Sequence, residues 1–493
     1  MSAFDNLNQH FQKIANFNHL AAICGWDAAA MMPAGGNDSR SKAMAELSVH
    51  IHGLKTESQL EDWFDKAESE QLDTDQQSQL REMKRSWQLS NVLPAKLVEA
   101  KSLAGSKCEH AWRTQRGEND WDGFVKNWKP VVELSIEEAQ IRADILGSTP
   151  YDAMLDIYEP GVNQAELTKL FDEVKTWLPD LIDKAIEKQS SQSILLPTGT
   201  YSTESQKALG LEVMKLLQFD FNHGRLDESV HPFCGGVPQD VRLTTRYNEQ
   251  EFVQSLMGIV HETGHARYEQ GLPKSITGLP AGEARSMGIH ESQSLFFEMQ
   301  LGRSDEFIAH LSKLANKHFA QHDSKIFEPQ NLSRIYTQVK RDFIRVDADE
   351  LTYPAHVILR YEIERDLING DINYKDLPEI WDAKMQAYLG LSTKGNFTNG
   401  CMQDIHWTDG AFGYFPSYTL GAMYAAQFKA SMAKDLNIGQ AIESGDLSPI
   451  FNWLEQKIWS KGSLLGTNEL VTQATGEALN AEHFKKHLTE RYL

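Results

Sequence analysis

Apolar residues recur at helical spacing along almost the whole 493-residue chain, and the pattern breaks once, between residues 219 and 247. That rhythm predicts a mainly α-helical protein. Helices are expected at about 4–32, 37–54, 57–70, 74–93, 94–116 and 121–146. Pro33-Ala34-Gly35-Gly36 ends the first, Asn37-Asp38-Ser39 can cap the second, and Pro94 suits a first helical turn. Residues 148–161 read as a loop. Helices resume at about 164–188, with a kink or break at Pro179, and at about 202–217. In the break, Asp240, Arg242, Thr244 and Arg246 alternate with Val241, Leu243 and Thr245, which is strand periodicity, and Gly235-Gly236 and Pro238 mark a turn. A small antiparallel β-sheet is expected there. Further helices are expected at about 251–270, 284–301, 331–343, 355–368, 377–389, 418–434, 449–460 and 478–491. No repeat and no low-complexity linker divides the chain. One large helical domain over 1–493 is therefore expected, with two lobes around a long groove. Residues 1–200 would wall the groove, 219–420 would supply catalytic helices and sheet, and 421–493 the last helices.

Charge narrows the partners. The chain carries 48 Lys and Arg against 69 Asp and Glu, a net charge of −21. That opposes nucleic acid and anionic membrane surfaces. The N-terminus lacks the layout of a secretion signal, and no apolar run reaches the roughly 18 residues of a membrane span. Cys24, Cys108, Cys234 and Cys401 stand far apart, without metal-ligand spacing, as expected of inert thiols in a reducing, cytoplasmic setting.

One helix carries chemistry. Residues 251–270 contain His261, Glu262 and His265 in the order H-E-x-x-H. Residues four apart share a helix face, so both imidazoles can grip one Zn²⁺ while Glu262 reaches a water beside it. Phe252, Leu256, Ile259 and Val260 supply the stripe that buries the other side. Three fixed positions arise by chance in roughly a few per cent of chains this long. The pattern therefore needs a third ligand and a group to hold substrate. Glu291, 26 positions past His265 on the next helix, is the leading third ligand; Glu283, Glu298 and His290 are the others within reach.

At this point the chain resembles the thermostable carboxypeptidase Taq family of metallocarboxypeptidases, over nearly its whole length. Five signatures appear in order. They are DxRxT (Asp240–Thr244), HExxH (His261–His265), HES(Q) (His290–Gln293), IRxxAD (Ile344–Asp349) and GxxQDxHW (Gly400–Trp407). The resemblance implies a Zn²⁺ enzyme, or Co²⁺ in some members, that removes single residues from peptide C-termini with broad specificity and commonly forms homodimers. It carries the ligands onto His261, His265 and Glu291 and the general base onto Glu262. It also implies an almost all-helical fold with a small sheet beside a long groove.

An exopeptidase must hold the free carboxylate of its substrate, and a guanidinium fork matches that group. Arg345 is the first choice and Arg242 the second. For Arg345 the competing role is an ion pair with Asp347 or Asp349. His406, Tyr414 and Tyr418 are candidate donors to the oxyanion. His231, Asp240 and His356 read as supporting residues. Competing functions are an endopeptidase, a dipeptidyl carboxypeptidase or an aminopeptidase on the same metal centre, and a non-catalytic helical scaffold with a structural metal. No Gly-rich nucleotide loop points to another cofactor.

Overall fold

The computed structural model describes residues 1–230 and 232–493. Among them are twenty α-helices and one three-stranded sheet. Helix starts are written locally. Ser2 and Asp5 form a reciprocal capping box for Ala3–Ala30, and Asp73 and Gln76 do the same for Thr74–Asn91. Trp121–Leu146 spans its expected limits and ends on Gly147 in the left-handed conformation.

Several elements differ from expectation. Residues 148–161 hold a helix, Pro150–Tyr158, capped by Thr149 and started by Pro150; its buried Tyr151, Met154 and Leu155 lie at helical spacing. Pro179 sits inside an unbroken helix, Gln164–Gln189, where buried Leu178, Leu181 and Ile182 hold both halves against the core. Asn37–Lys55 starts without a side-chain cap, after a 3₁₀ turn at Ala34–Gly36. Three unanticipated helices, Asp305–His318, Ile438–Ser444 and Thr467–Thr475, each bury apolar residues at helical spacing. The helix expected at 331–343 stops early, as Pro329–Tyr336.

The sheet needs a correction. β1 (Gly224–Glu228), β2 (Cys234–Val237) and β3 (Asp240–Thr245) lie in the order β1-β3-β2. β2 and β3 form the expected antiparallel hairpin, but β1 pairs with β3 in parallel, Leu226 opposite Leu243. The chain reverses after β1 and leaves a strand's width that β3 fills. Val241 and Leu243 on β3 are fully buried, packed with Ile259 and Ala266 of Val253–Gly271. The sheet thus braces the helix that carries the H-E-x-x-H motif.

One large core runs from Cys108 to Tyr492, and a second is confined mainly to the N-terminal helices around Phe4, Leu7, Phe11, Phe64 and Met83. No helix among the described residues is long and apolar enough to cross a membrane.

Candidate metal centre and substrate cleft

Val253–Gly271 buries Leu256, Ile259, Val260 and Thr263, which leaves His261, Glu262 and His265 at the edge of a cleft of about 470 Å³. Glu291 comes from the neighbouring helix, Met287–Leu295. The two helices meet backbone to backbone. A Cβ on Gly264 would lie 2.5 Å from the Gln293 carbonyl oxygen and 2.6 Å from Ser294 Cα. On the far side, a Cβ on Gly421 would lie 2.8 Å from Glu291 Cβ and Cγ, so Pro416–Asp435 clamps Glu291 from behind. The N-terminus of Met287–Leu295 rests on Glu159, a fully buried carboxylate that accepts from Ser286 Oγ at 2.5 Å and from the Gly288 N–H. Burial pushes the Glu159 carboxyl up to about 6 against these donors. Its contact spans more than 120 positions, so nothing near it in the chain announces the role.

The three candidate ligands converge. His261 Nε2 lies 3.9 Å from Glu291 Oε1 and His265 Nε2 lies 3.5 Å from Glu291 Oε2; one ligand atom from each residue fits within 4.8 Å of the others. Their remaining nitrogens are occupied. His261 Nδ1 bonds Glu298 Oε2 at 2.8 Å. His265 Nδ1 bonds His290 Nδ1 at 2.7 Å, and His290 Nε2 bonds Glu269 Oε1 at 2.7 Å. Glu269 and Glu298 accept N–H groups, which makes Nδ1 of neutral His290 the acceptor for the His265 Nδ1–H. With His261 and His265 in their neutral forms, both candidate ligand rings present a bare Nε2 toward Glu291.

The charges fit a cation. Burial opposes a charge on His261, but the Glu298 hydrogen bond and the Glu291 carboxylate outweigh it and hold its pKa up to about 10. Burial raises Glu262 to about 7, with His261 opposing and Glu291 adding to the rise. Burial also raises Glu291. Two imidazole nitrogens, one carboxylate and this demand for positive charge are the donor chemistry of a divalent ion such as zinc.

Arg345 lines the same cleft. Its expected partners are not the ones it has. Asp349 caps the turn at Leu351 and Thr352, and Arg345 Nε instead donates to Asp404 Oδ1 at 3.0 Å, while its Nη1 donates to Tyr353 Oη at 2.6 Å. Asp404 also takes Arg360 Nε at 2.6 Å. One buried carboxylate thus serves two buried guanidiniums, an arrangement that favours one further anion. Tyr414 and Tyr418 both face the cleft with ring centroids 5.3 Å apart, and burial raises both phenols. His406 stands behind them, its Nε2 3.3 Å from Tyr418 Oη, and burial beside Arg345 lowers its pKa to about 4.

Other expected residues lie elsewhere. Arg242 and Asp240 pair with each other at 2.8 Å on β3, and Arg242 stacks 4.4 Å from the Trp26 ring of the first helix. Neither lines the metal cleft. His356 is fully buried beneath Arg345 and Arg360, where burial lowers its pKa to about 3. His231 lies outside the described residues. Sequence reasoning missed Tyr353, Asp404, Glu269 and Arg303; of these, Asp404 reaches Arg345 from 59 positions away, while Tyr353 and Arg303 lie eight and five positions from their partners. Asp404 had a signal, since it lies in the GxxQDxHW stretch.

The family model for carboxypeptidase Taq (M32) metallopeptidase matches residues 6–492. Thermostable carboxypeptidase 1 of Thermus thermophilus is 36% identical over 504 aligned positions, covering 100% of this chain and 98% of that protein. Carboxypeptidase 1 of Bacillus subtilis is 35% identical, with 98% and 96% covered. Among solved structures, Trypanosoma cruzi metallocarboxypeptidase 1 superposes with a TM-score of 0.97 at 44% identity, with 99% of each chain covered. With matches that run end to end, and with candidate ligands meeting where the motifs place them, the chain belongs to the carboxypeptidase Taq (M32) family and is a metallocarboxypeptidase.

Proposed function

We propose that this chain is a zinc-dependent carboxypeptidase that releases single C-terminal residues from peptides with broad specificity. His261, His265 and Glu291 hold the ion, Co²⁺ being an acceptable substitute, and Glu262 is the general base. The observation that carries the reading is one cleft with the three converging ligand atoms on one wall and Arg345 on another.

When bound, the ion supplies Lewis acidity, making a water more acidic and a carbonyl carbon more electrophilic. The chain's own groups do the rest. Arg345, backed by Asp404 and Tyr353, pairs with the terminal carboxylate and fixes the last residue. That places the final peptide bond at the metal centre. Glu262 takes a proton from the water as its oxygen bonds to the carbonyl carbon. It then returns that proton to the amide nitrogen as the C–N bond breaks. Tyr414 and Tyr418, kept protonated by burial, can donate to the developing oxyanion. β2 borders the cleft at Cys234 and can hold an extended peptide by its backbone. Arg242, Asp240, His406 and His356 are not among the cleft-lining residues and take supporting roles, His406 and His356 directly behind the lining.

The resemblance supports a homodimer, and four free cysteines support a reducing, cytoplasmic setting. The core that runs from Cys108 to Tyr492 supports one catalytic domain faced by the N-terminal helices. The test is an N-blocked dipeptide offered to the zinc-loaded protein as the free acid and as its C-terminal amide. Rapid release of one residue from the acid, with the amide inert, is expected. Equal cleavage of both forms would replace this reading with an endopeptidase.

A further inference from the structure

Two glutamates of one helix hold opposite nitrogens of one imidazole. Glu291 faces His261 Nε2, and Glu298 bonds His261 Nδ1. In a regular α-helix, residues seven apart share a face, so Glu298 would lie beside Glu291. Here the α-helix ends at Leu295 and continues as a π-helix over Phe296–Gly302. The wider turn swings Glu298 off the Glu291 face and behind His261.

The same winding sets the next contact. Arg303 follows Glu298 by five positions. At 100° per residue an α-helix would point the two side chains about 140° apart. A π-turn brings positions five apart into line. Arg303 Nη2 reaches Glu298 Oε1 at 2.5 Å, which leaves Oε2 for His261. Both side chains are largely buried, Arg303 12% and Glu298 15% exposed.

Arg303 also lies within electrostatic reach of Glu350 and Tyr492. Glu350 has no exposed side-chain surface. It accepts from His487 Nε2 at 2.6 Å, Arg491 Nη1 at 2.8 Å and Tyr492 Oη at 3.1 Å, all on Ala481–Tyr492. Glu350 directly follows the segment that carries Arg345. The hydrogen bonds that reach His261 run from Arg303 through Glu298, while Glu350 anchors the C-terminal helix.

We infer that Arg303 is a positioning residue for the metal centre, fixing Glu298 against His261 Nδ1. The inference rests on His261 being a ligand. Removing an outer partner of a ligating histidine typically weakens metal binding tenfold or more. A substrate-binding role for Arg303, which also lines the cleft, makes a different forecast.

The experiment measures the zinc dissociation constant by competition with a chromogenic chelator, alongside the thermal midpoint of the metal-free protein. Arg303→Met, one step beyond the histidine's direct partner Glu298, should raise the dissociation constant by up to about tenfold. Arg303→Lys should recover much of that loss. Glu298→Gln, which keeps the shape of the side chain but alters the direct partner of His261, should raise it by about ten- to a hundredfold and serves if Arg303→Met does not fold. Unchanged zinc affinity in folded Arg303→Met or Glu298→Gln overturns the inference, even if KM or the thermal midpoint moves. His261→Ala separates the two ideas: if it too leaves zinc affinity unchanged, the ligand assignment has failed.

Discussion

Glu262→Gln changes one atom and no volume, so it isolates proton transfer from metal binding. The side chain points from the ligand-bearing helix into the cleft, beside His261 and Glu291. The variant should keep stoichiometric zinc and lose about 10²–10⁴-fold in kcat. Metal analysis and steady-state kinetics on one preparation check this, and near-normal turnover would remove Glu262 as the base. Arg345→Ala should raise KM for free-acid peptides and leave zinc content intact, since Arg345 touches Asp404 and Tyr353 but none of the three ligands. An unchanged KM would move carboxylate recognition elsewhere. At this scale the sequence was legible where chemistry is local. His261, Glu262 and His265 lie within one turn and a half, and Arg345 lies in a compact motif. Arg303 and Glu159 were not legible as site residues, and Glu298 was legible only as an alternative ligand, because a π-turn and a contact across the fold define their roles.

Among elements, the two helices that carry the candidate ligands pack more closely than side chains allow. Gly264 is the point of contact, and Gly264→Ala would press a methyl against the Gln293 carbonyl and Ser294 Cα. Overpacking of this kind costs about 1–3 kcal/mol, beyond the helix propensity gained. Urea unfolding of the metal-free variant should show that loss. Stability equal to the parent would mean that the helices can separate freely. Most helices were legible because amphipathic spacing and caps lie inside each segment. Pro150–Tyr158 was not, since Thr149, Pro150 and Pro160 read equally well as turn residues until Tyr151, Met154 and Leu155 are seen buried. The parallel partner of β3 was hidden for a different reason. Alternation identifies a strand but not its neighbour, and β1 reaches β3 only after β2 has passed on the other side.

Across the whole molecule, acidic groups are buried far from solvent. Glu364 is fully buried and accepts from Trp407 Nε1 at 2.7 Å, the Gly413 N–H at 3.1 Å and Tyr151 Oη at 3.2 Å, which ties the segment before Pro416–Asp435 to Pro150–Tyr158. Burial raises its pKa from 4.5 to about 8, against these donors. An acid raised in this way binds its proton more tightly folded than unfolded. Its contribution to stability is therefore complete below 4.5 and is lost as pH climbs through about 8. Glu364→Gln, which imitates the protonated form, should flatten this decline when chemical denaturation is followed across that window; parallel slopes for variant and parent would exclude Glu364 as its source. Fold class and the reach of the core followed from periodicity. The docking of the first helix did not, because Trp26 meets Arg242 through a cation–π contact across more than 200 positions.

Hydrogen bonds to Glu298 and His290 hold the ring planes of His261 and His265. An ion arriving at these candidate ligands therefore spends little of its binding free energy on arranging their rings; its main cost is the proton it displaces from His261, and what remains is passed to the native state by mass action. Once free ion exceeds its dissociation constant, each further tenfold rise adds about 1.4 kcal/mol of folding stability. The ion supply around this protein then acts as a thermostat on its fold.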